Sequence, residues 1–208
     1  MKHLYESDKI EILERIDSIS KTINDRLLPT FNLLEDEAKA VGEKKLEKLR
    51  ADFMDEASVY EQAFDEEVYH YHLHSEMRRA FINNSIIWLF HLFEKDCGNI
   101  FQTPDGNIKK SELESLSINI ETDSLWEVCN TELRLIANVI KHGQGQSFNK
   151  LKLRKPEIIK SFHGFLSDAD VEITSKDLNQ YIFTMKEFWQ DFFQKTLKID
   201  GALKDCEY

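Results

Sequence analysis

The sequence predicts an all-α protein, and three observations carry the prediction. Seven Gly and three Pro among 208 residues are too few for the frequent turns of an all-β fold, so long helices with few connections are expected. Apolar residues recur at three- and four-residue spacing in several long windows, the period of a helix with one buried face. Charged residues make up 31% beside 41% hydrophobic ones, which is the balance of solvated helices around ample core material. A chain of this length needs neither disulfide nor metal to hold it together.

Taken in order, residues 7–28 read as an amphipathic helix through Ile10, Leu13, Ile16, Ile19, Ile23 and Leu27, with Ser7 as N-cap and Asp8 in the first turn. Pro29 interrupts the pattern, and Thr30 is expected to cap a second, charge-dense helix that runs to about Met54 with a weak point at Gly42. A long helix over roughly 58–99 follows. It is mixed at first and apolar on nearly every face from Phe81, so it should lie centrally, with Gly98 as its C-terminal cap. Thr103-Pro104-Asp105-Gly106 is a turn signal, and Lys109 to Leu116 can add a short helix. Asp123 or Ser124 then caps a helix ending at His142, where Gly143 stops it and Gly145 keeps the next segment irregular. Beyond Pro156, residues 170–174 alternate as a short extended piece. Ser175 is expected to cap the last helix, 176–197, whose Leu178, Ile182, Met185, Phe188, Trp189, Phe192 and Phe193 form a wide stripe that reads as core.

Composition also narrows function. A net charge of -11 is the opposite of the balance in proteins that coat nucleic acid with their whole surface, so an RNA role requires a local basic patch. Cys97, Cys129 and Cys206 are too far apart and odd in number for a disulfide framework. The N-terminus has no apolar leader segment, and no stretch approaches the ~20 apolar residues of a membrane span. Cytoplasm is the expected location, with no membrane partner. No Gly-rich phosphate loop, nucleophile elbow or DNA-reading motif appears, so neither a cofactor nor DNA is expected.

The informative segment is Glu132 to Gly143. Arg134, Asn138 and His142 follow at i, i+4 and i+8, one face of a helix, with Asn130 a turn earlier and apolar residues between. Such a row can hold a phosphate through Arg134, orient a sugar or base through Asn138 and move a proton through His142. Lys141, Lys150, Lys152, Arg154 and Lys155, with Trp126 near the same side, supply the basic patch that RNA needs. The plainer alternative is structural. Lys and His in a last helical turn before Gly suit the helix dipole, and Arg134 would then pair with Glu94 or Glu127 while Asn138 satisfied a buried backbone group.

The segment resembles the signature helix of the HEPN (higher eukaryotes and prokaryotes nucleotide-binding) superfamily, in which an Arg, often followed by a polar residue, precedes a His near a helix end. Asn138 and His142 match the polar residue and the His. Ala137 stands where the family's Arg would be, and Arg134 lies one turn earlier. Trp88-Leu-Phe-His-Leu-Phe-Glu94 and the closing aromatic helix extend the likeness over about residues 75–197, in order of elements. The resemblance implies a HEPN-like helical bundle, residues 58–208, with an N-terminal helical extension, residues 1–57. It further implies a metal-independent endoribonuclease of bacterial toxin–antitoxin or antiviral defence, with Arg134, Asn138 and His142 catalytic. Its active site would form where two signature helices meet in a homodimer, and an antitoxin or other protein would be a partner. The alternative is a non-catalytic helical scaffold that binds a partner protein or nucleotide.

Glu67-x-x-His70 has the spacing of di-iron bundles, and His70 and His74 could chelate zinc. A di-iron site needs two such elements and the chain has one, while the many Asp and Glu nearby favour a solvated face. No metal is expected.

Overall fold

The computed structural model describes residues 1–51, 55–122, 124–161 and 169–204. It is an all-α bundle with a small two-stranded sheet. In chain order the helices are α1 (Glu6–Thr22), α2 (Leu34–Ala51), α3 (Glu56–Phe101), α4 (Gly106–Ser115), α5 (Leu125–Glu127), α6 (Leu133–His142), α7 (Gln146–Arg154) and α8 (Ser175–Lys204). Between α7 and α8, β1 (Ile159–Ser161) pairs antiparallel with β2 (Ala169–Val171), Lys160 opposite Asp170. Among the described residues, no helix is long and apolar enough to cross a membrane.

The chain divides into two compact units, one of Met1–Ser20 with Ile82–Tyr208 and one of Lys21–Phe81. Where the sequence placed a boundary after residue 57, most of α1 groups with the larger unit, and α3 as far as Phe81 groups with α2.

In the larger unit the second half of α3 and the aromatic face of α8 make the core, as their patterns predict. Phe93 lies 5.5 Å from Phe188, 5.8 Å from Trp189 and 5.8 Å from Trp126 between ring centres, and Phe101 meets Phe192 at 5.7 Å. These edge-on and tilted contacts suit the quadrupoles of the rings. Trp126 is therefore core, not part of a basic patch. The segment from Phe81 to Phe93 is less enclosed than expected, since Trp88 remains 49% exposed. The N-terminal segment is tied to α3, with Ile12, Ile16 and Ile19 buried, Lys2 N–H donating to the Ile100 carbonyl at 2.9 Å, and Arg15 paired with Asp96 at 2.6 Å. Cys97 and Cys129 are free and buried, and desolvation holds both thiols above their usual range.

In the smaller unit α2 and the first part of α3 pack closely at Gly42. A Cβ there would lie 3.0 Å from the Glu67 Cβ and 3.2 Å from the Ala63 carbonyl, so the expected weak point is a close approach of the two helices. Pro29 does not break the path. A π turn, Ile23–Leu27, leads into a 3-10 turn, Leu28–Phe31, whose first positions need no N–H from proline. Thr30 does not cap α2; its Oγ1 donates to the Leu27 carbonyl at 2.5 Å, and α2 begins at Leu34.

Several other ends differ from expectation for identifiable reasons. α3 continues through Gly98 to Phe101, and Gln102, at φ 54°, takes the left-handed position that ends it. Asp105 starts α4 by accepting the Asn107 N–H at 2.8 Å. Thr174, not Ser175, caps α8 in a reciprocal box with Asp177. The segment after Gly145 is a helix, α7, where an irregular stretch was expected. The expected helix end near Met54, Asp123 as a cap and Cys206 lie outside the described residues.

Candidate functional site

The stripe is built by a helix with an interruption in it. Ser124 Oγ accepts the Glu127 N–H at 3.3 Å to start α5, and a π turn, Val128–Glu132, inserts an extra residue before α6 begins at Leu133. Single π turns inside helices are frequent at functional sites. Asn130 sits half-buried in this turn, outside the continuous register of α6. From Leu133 the helix is regular. Leu133, Leu135, Ile136, Ala137 and Val139 are buried, whereas Arg134, Lys141 and His142 are exposed and Asn138 is half-buried.

Arg134, Asn138 and His142 therefore rise along one edge of α6, spanning about 12 Å of axis with a drift of about 40° per step. Gly143 stops the helix at φ 69°, its N–H donating to the Val139 carbonyl at 2.7 Å. This leaves His142 in the last turn, where the helix dipole favours positive charge.

The structural pairings open to the stripe are not made. Glu94 pairs with His91 at 3.1 Å, and Glu127 with Lys110 at 3.2 Å and Arg154 at 3.6 Å. Among the described residues, no side-chain hydrogen bond or ion pair engages Arg134, Asn138 or His142.

The basic residues separate into two groups. Lys150 and Lys152 are exposed on α7, which packs against α6, and Leu153, the next residue, is 88% exposed. Arg154 and Lys155 instead reach inward. Arg154 Nε lies 3.3 Å from Glu132 Oε2, and Lys155 Nζ lies 3.3 Å from Glu132 Oε1. Tyr181 of α8 donates its hydroxyl to the same Oε1 at 2.6 Å. Burial, with the Glu132 charge beside it, pushes the Tyr181 phenol well above its usual range. Glu132 is 2% exposed, so a carboxylate that burial would penalise is held by three donors. A signal for this cluster lies in the spacing, because Glu127 and Glu132 occupy positions on the apolar side of the helix.

In the smaller unit His70 and His74 stack at 4.1 Å between ring centres, and His74 Nδ1 lies 3.8 Å from Glu37. Among the described residues, no group of three or more His, Cys, Asp or Glu side chains is placed to hold a metal ion.

No family model, no curated protein and no solved structure matches the chain.

Proposed function

We propose that the exposed edge of α6 binds RNA and cleaves it without a metal, in the manner of a HEPN-type endoribonuclease. One observation carries the reading: Arg134, Asn138 and His142 stand in a row on a helix whose Leu133, Leu135, Ile136, Ala137 and Val139 are buried, and none has a structural partner among the described residues. A structural role for the row would have shown Arg134 paired to Glu94 or Glu127, and those carboxylates are engaged elsewhere.

In this reading the ribose 2′-oxygen attacks the adjacent phosphorus and the bond to the 5′-oxygen breaks. His142 takes the 2′ proton and returns a proton to the departing oxygen, leaving a cyclic phosphate and a 5′-hydroxyl. Arg134 and Lys141 offset the charge that develops on the phosphorane oxygens. Asn138 orients the nucleotide, and Lys150 and Lys152 meet the flanking phosphates. The biological setting proposed is bacterial defence or growth control, in the cytoplasm, with an antitoxin-like protein as restraint.

The test is cleavage of total bacterial RNA by the purified full-length chain in excess EDTA, beside His142→Ala prepared identically. Cleavage that falls at least about a hundredfold in the variant is the expected result. Equal cleavage by both proteins, or none by either at saturating RNA, overturns the enzyme reading. RNA binding that persists without cleavage would favour the non-catalytic alternative.

A further inference from the structure

Arg154 joins two carboxylates that a regular helix would keep apart. Residues five apart on an α-helix point about 140° away from each other, so Glu127 and Glu132 would face different sides. The π turn between them adds a residue without advancing the helix, and this brings the two to within about 40°. Its wide hydrogen bond runs from the Leu133 N–H to the Val128 carbonyl, five residues back. Both carboxylates are buried. Arg154, the last residue of α7, reaches both, with Nη1 3.6 Å from Glu127 Oε2 and Nε 3.3 Å from Glu132 Oε2.

The angle of α6 depends on that turn. Trp126 is fixed in the aromatic core on one side of it, and Leu133 and Ile136 are fully buried on the other. Were the turn to relax to α geometry, α6 would rotate by about 100° against α5 and carry Arg134, Asn138 and His142 off their present face. Two buried carboxylates brought together repel, and the repulsion favours the α geometry in which they diverge. Lys110 engages Glu127, whereas Lys155 and Tyr181 engage Glu132. Arg154 engages both, and its planar fork can address two acceptors at once where an ammonium is a point charge.

We propose that Arg154 is a positioning residue: by tying Glu127 to Glu132 across the π turn, it sets the angle at which α6 presents Arg134, Asn138 and His142. The consequence for cleavage rests on the RNA reading, whereas the tie itself does not. The charge of Arg154 is spent inside the fold, and it acts on RNA only through the α6 edge.

The test uses the full-length chain with Arg154→Lys, Arg154→Met, and Arg154→Met combined with Glu127→Gln, which removes a carboxylate that the single change strands. The double variant is expected to regain much of the urea midpoint lost in Arg154→Met. Amide exchange read by mass spectrometry reports the turn directly. Peptides covering residues 128–134 should exchange at least about tenfold faster in the double variant and in Arg154→Lys, with those of α3 unchanged. In the same two variants kcat for RNA cleavage should fall at least about tenfold while KM stays within about threefold, because Lys150 and Lys152 still meet phosphate. Cleavage that returns together with the midpoint in the double variant overturns the proposal, since Arg154 would then serve stability alone. Unchanged exchange over 128–134 in both folded variants overturns it too. A wild type that cleaves no RNA overturns the RNA reading instead, and the exchange rates then decide the tie on their own.

Discussion

The two sides of the segment from Glu127 to His142 treat charge in opposite ways. On the inner side Glu132 is enclosed by Arg154, Lys155 and Tyr181, and Glu127 by Lys110 and Arg154. On the outer side Arg134 and His142 are exposed and Asn138 is half-buried, with no such partner among the described residues. The difference is one of obligation. A buried carboxylate requires its donors, so removing any one group leaves the others in an environment that penalises them. An exposed row has no such claim on the fold, and its residues can be exchanged without disturbing what lies beneath.

The comparison breaks most visibly at Glu132. Glu132→Ala removes the carboxylate that Arg154, Lys155 and Tyr181 share, and the expected loss of stability is about 3–5 kcal/mol, read from urea unfolding. A loss below about 1 kcal/mol would mean that the cations relax to water and that the inner cluster is not obligatory. The outer side is expected to show the reverse pattern. His142→Ala and Arg134→Ala should each leave stability within about 0.5 kcal/mol while RNA cleavage falls at least about a hundredfold. A His142→Ala variant that unfolds readily would place His142 on the structural side of the comparison.

How much of this was legible beforehand follows from the physics of each feature. The aromatic face of α8 and the row at 134, 138 and 142 depend on helical period alone, and both stand where the spacing put them. The inward turn of Arg154 and Lys155 was not legible, because Lys150 to Lys155 reads as one basic run unless α7 is known to be a helix. Gly145 suggested a loop there, yet its extended backbone precedes the helix. The π turn at Val128–Glu132 has no signature in residue type; packing sets it, and it alone removes Asn130 from the stripe's register. Gly98 misled for a similar reason. Its position suited a cap, but the apolar pair Ile100 and Phe101 is buried at 1% and 2%, and that burial carries α3 one turn further.

The helix end between the two sides offers a smaller effect. Gly143 adopts φ 69° with ψ -143°, a conformation that side chains rarely take, although no atom lies within 4 Å of an added Cβ. Gly143→Ala is therefore expected to lower stability by about 1–3 kcal/mol through backbone strain alone. Thermal unfolding checks this, and an unchanged midpoint would show that the turn relaxes to another conformation.

A buried carboxyl elsewhere in the larger unit extends the rule to pH. Burial raises the Asp96 carboxyl above its ordinary value of 3.8, against the opposing pull of Arg15. The native state then holds a proton that the unfolded chain has released, so stability from this group is full below 3.8 and declines as pH rises through the native value. Asp96→Asn removes the titration. The stability of Asp96→Asn relative to the wild type should consequently increase from acid pH upward, measured by urea unfolding at several pH values. A difference that shrinks with rising pH would show the Arg15 pair outweighing desolvation.

The finest division concerns the two pairs of cations in one short run. Lys150 and Lys152 face solvent, whereas Arg154 and Lys155 are engaged with Glu132. If the outward pair meets phosphate, each of Lys150→Ala and Lys152→Ala should lower the slope of log affinity for single-stranded RNA against log salt by about 0.7, with stability unchanged. Arg154→Ala should do the opposite, weakening the fold while its effect on the salt slope measured on folded protein stays near zero. The two responses are separable because counterion release counts only cations that reach the phosphates, and a guanidinium already held by a buried carboxylate releases none. Equal slopes for all of these variants and the wild type would place the RNA contact away from α7.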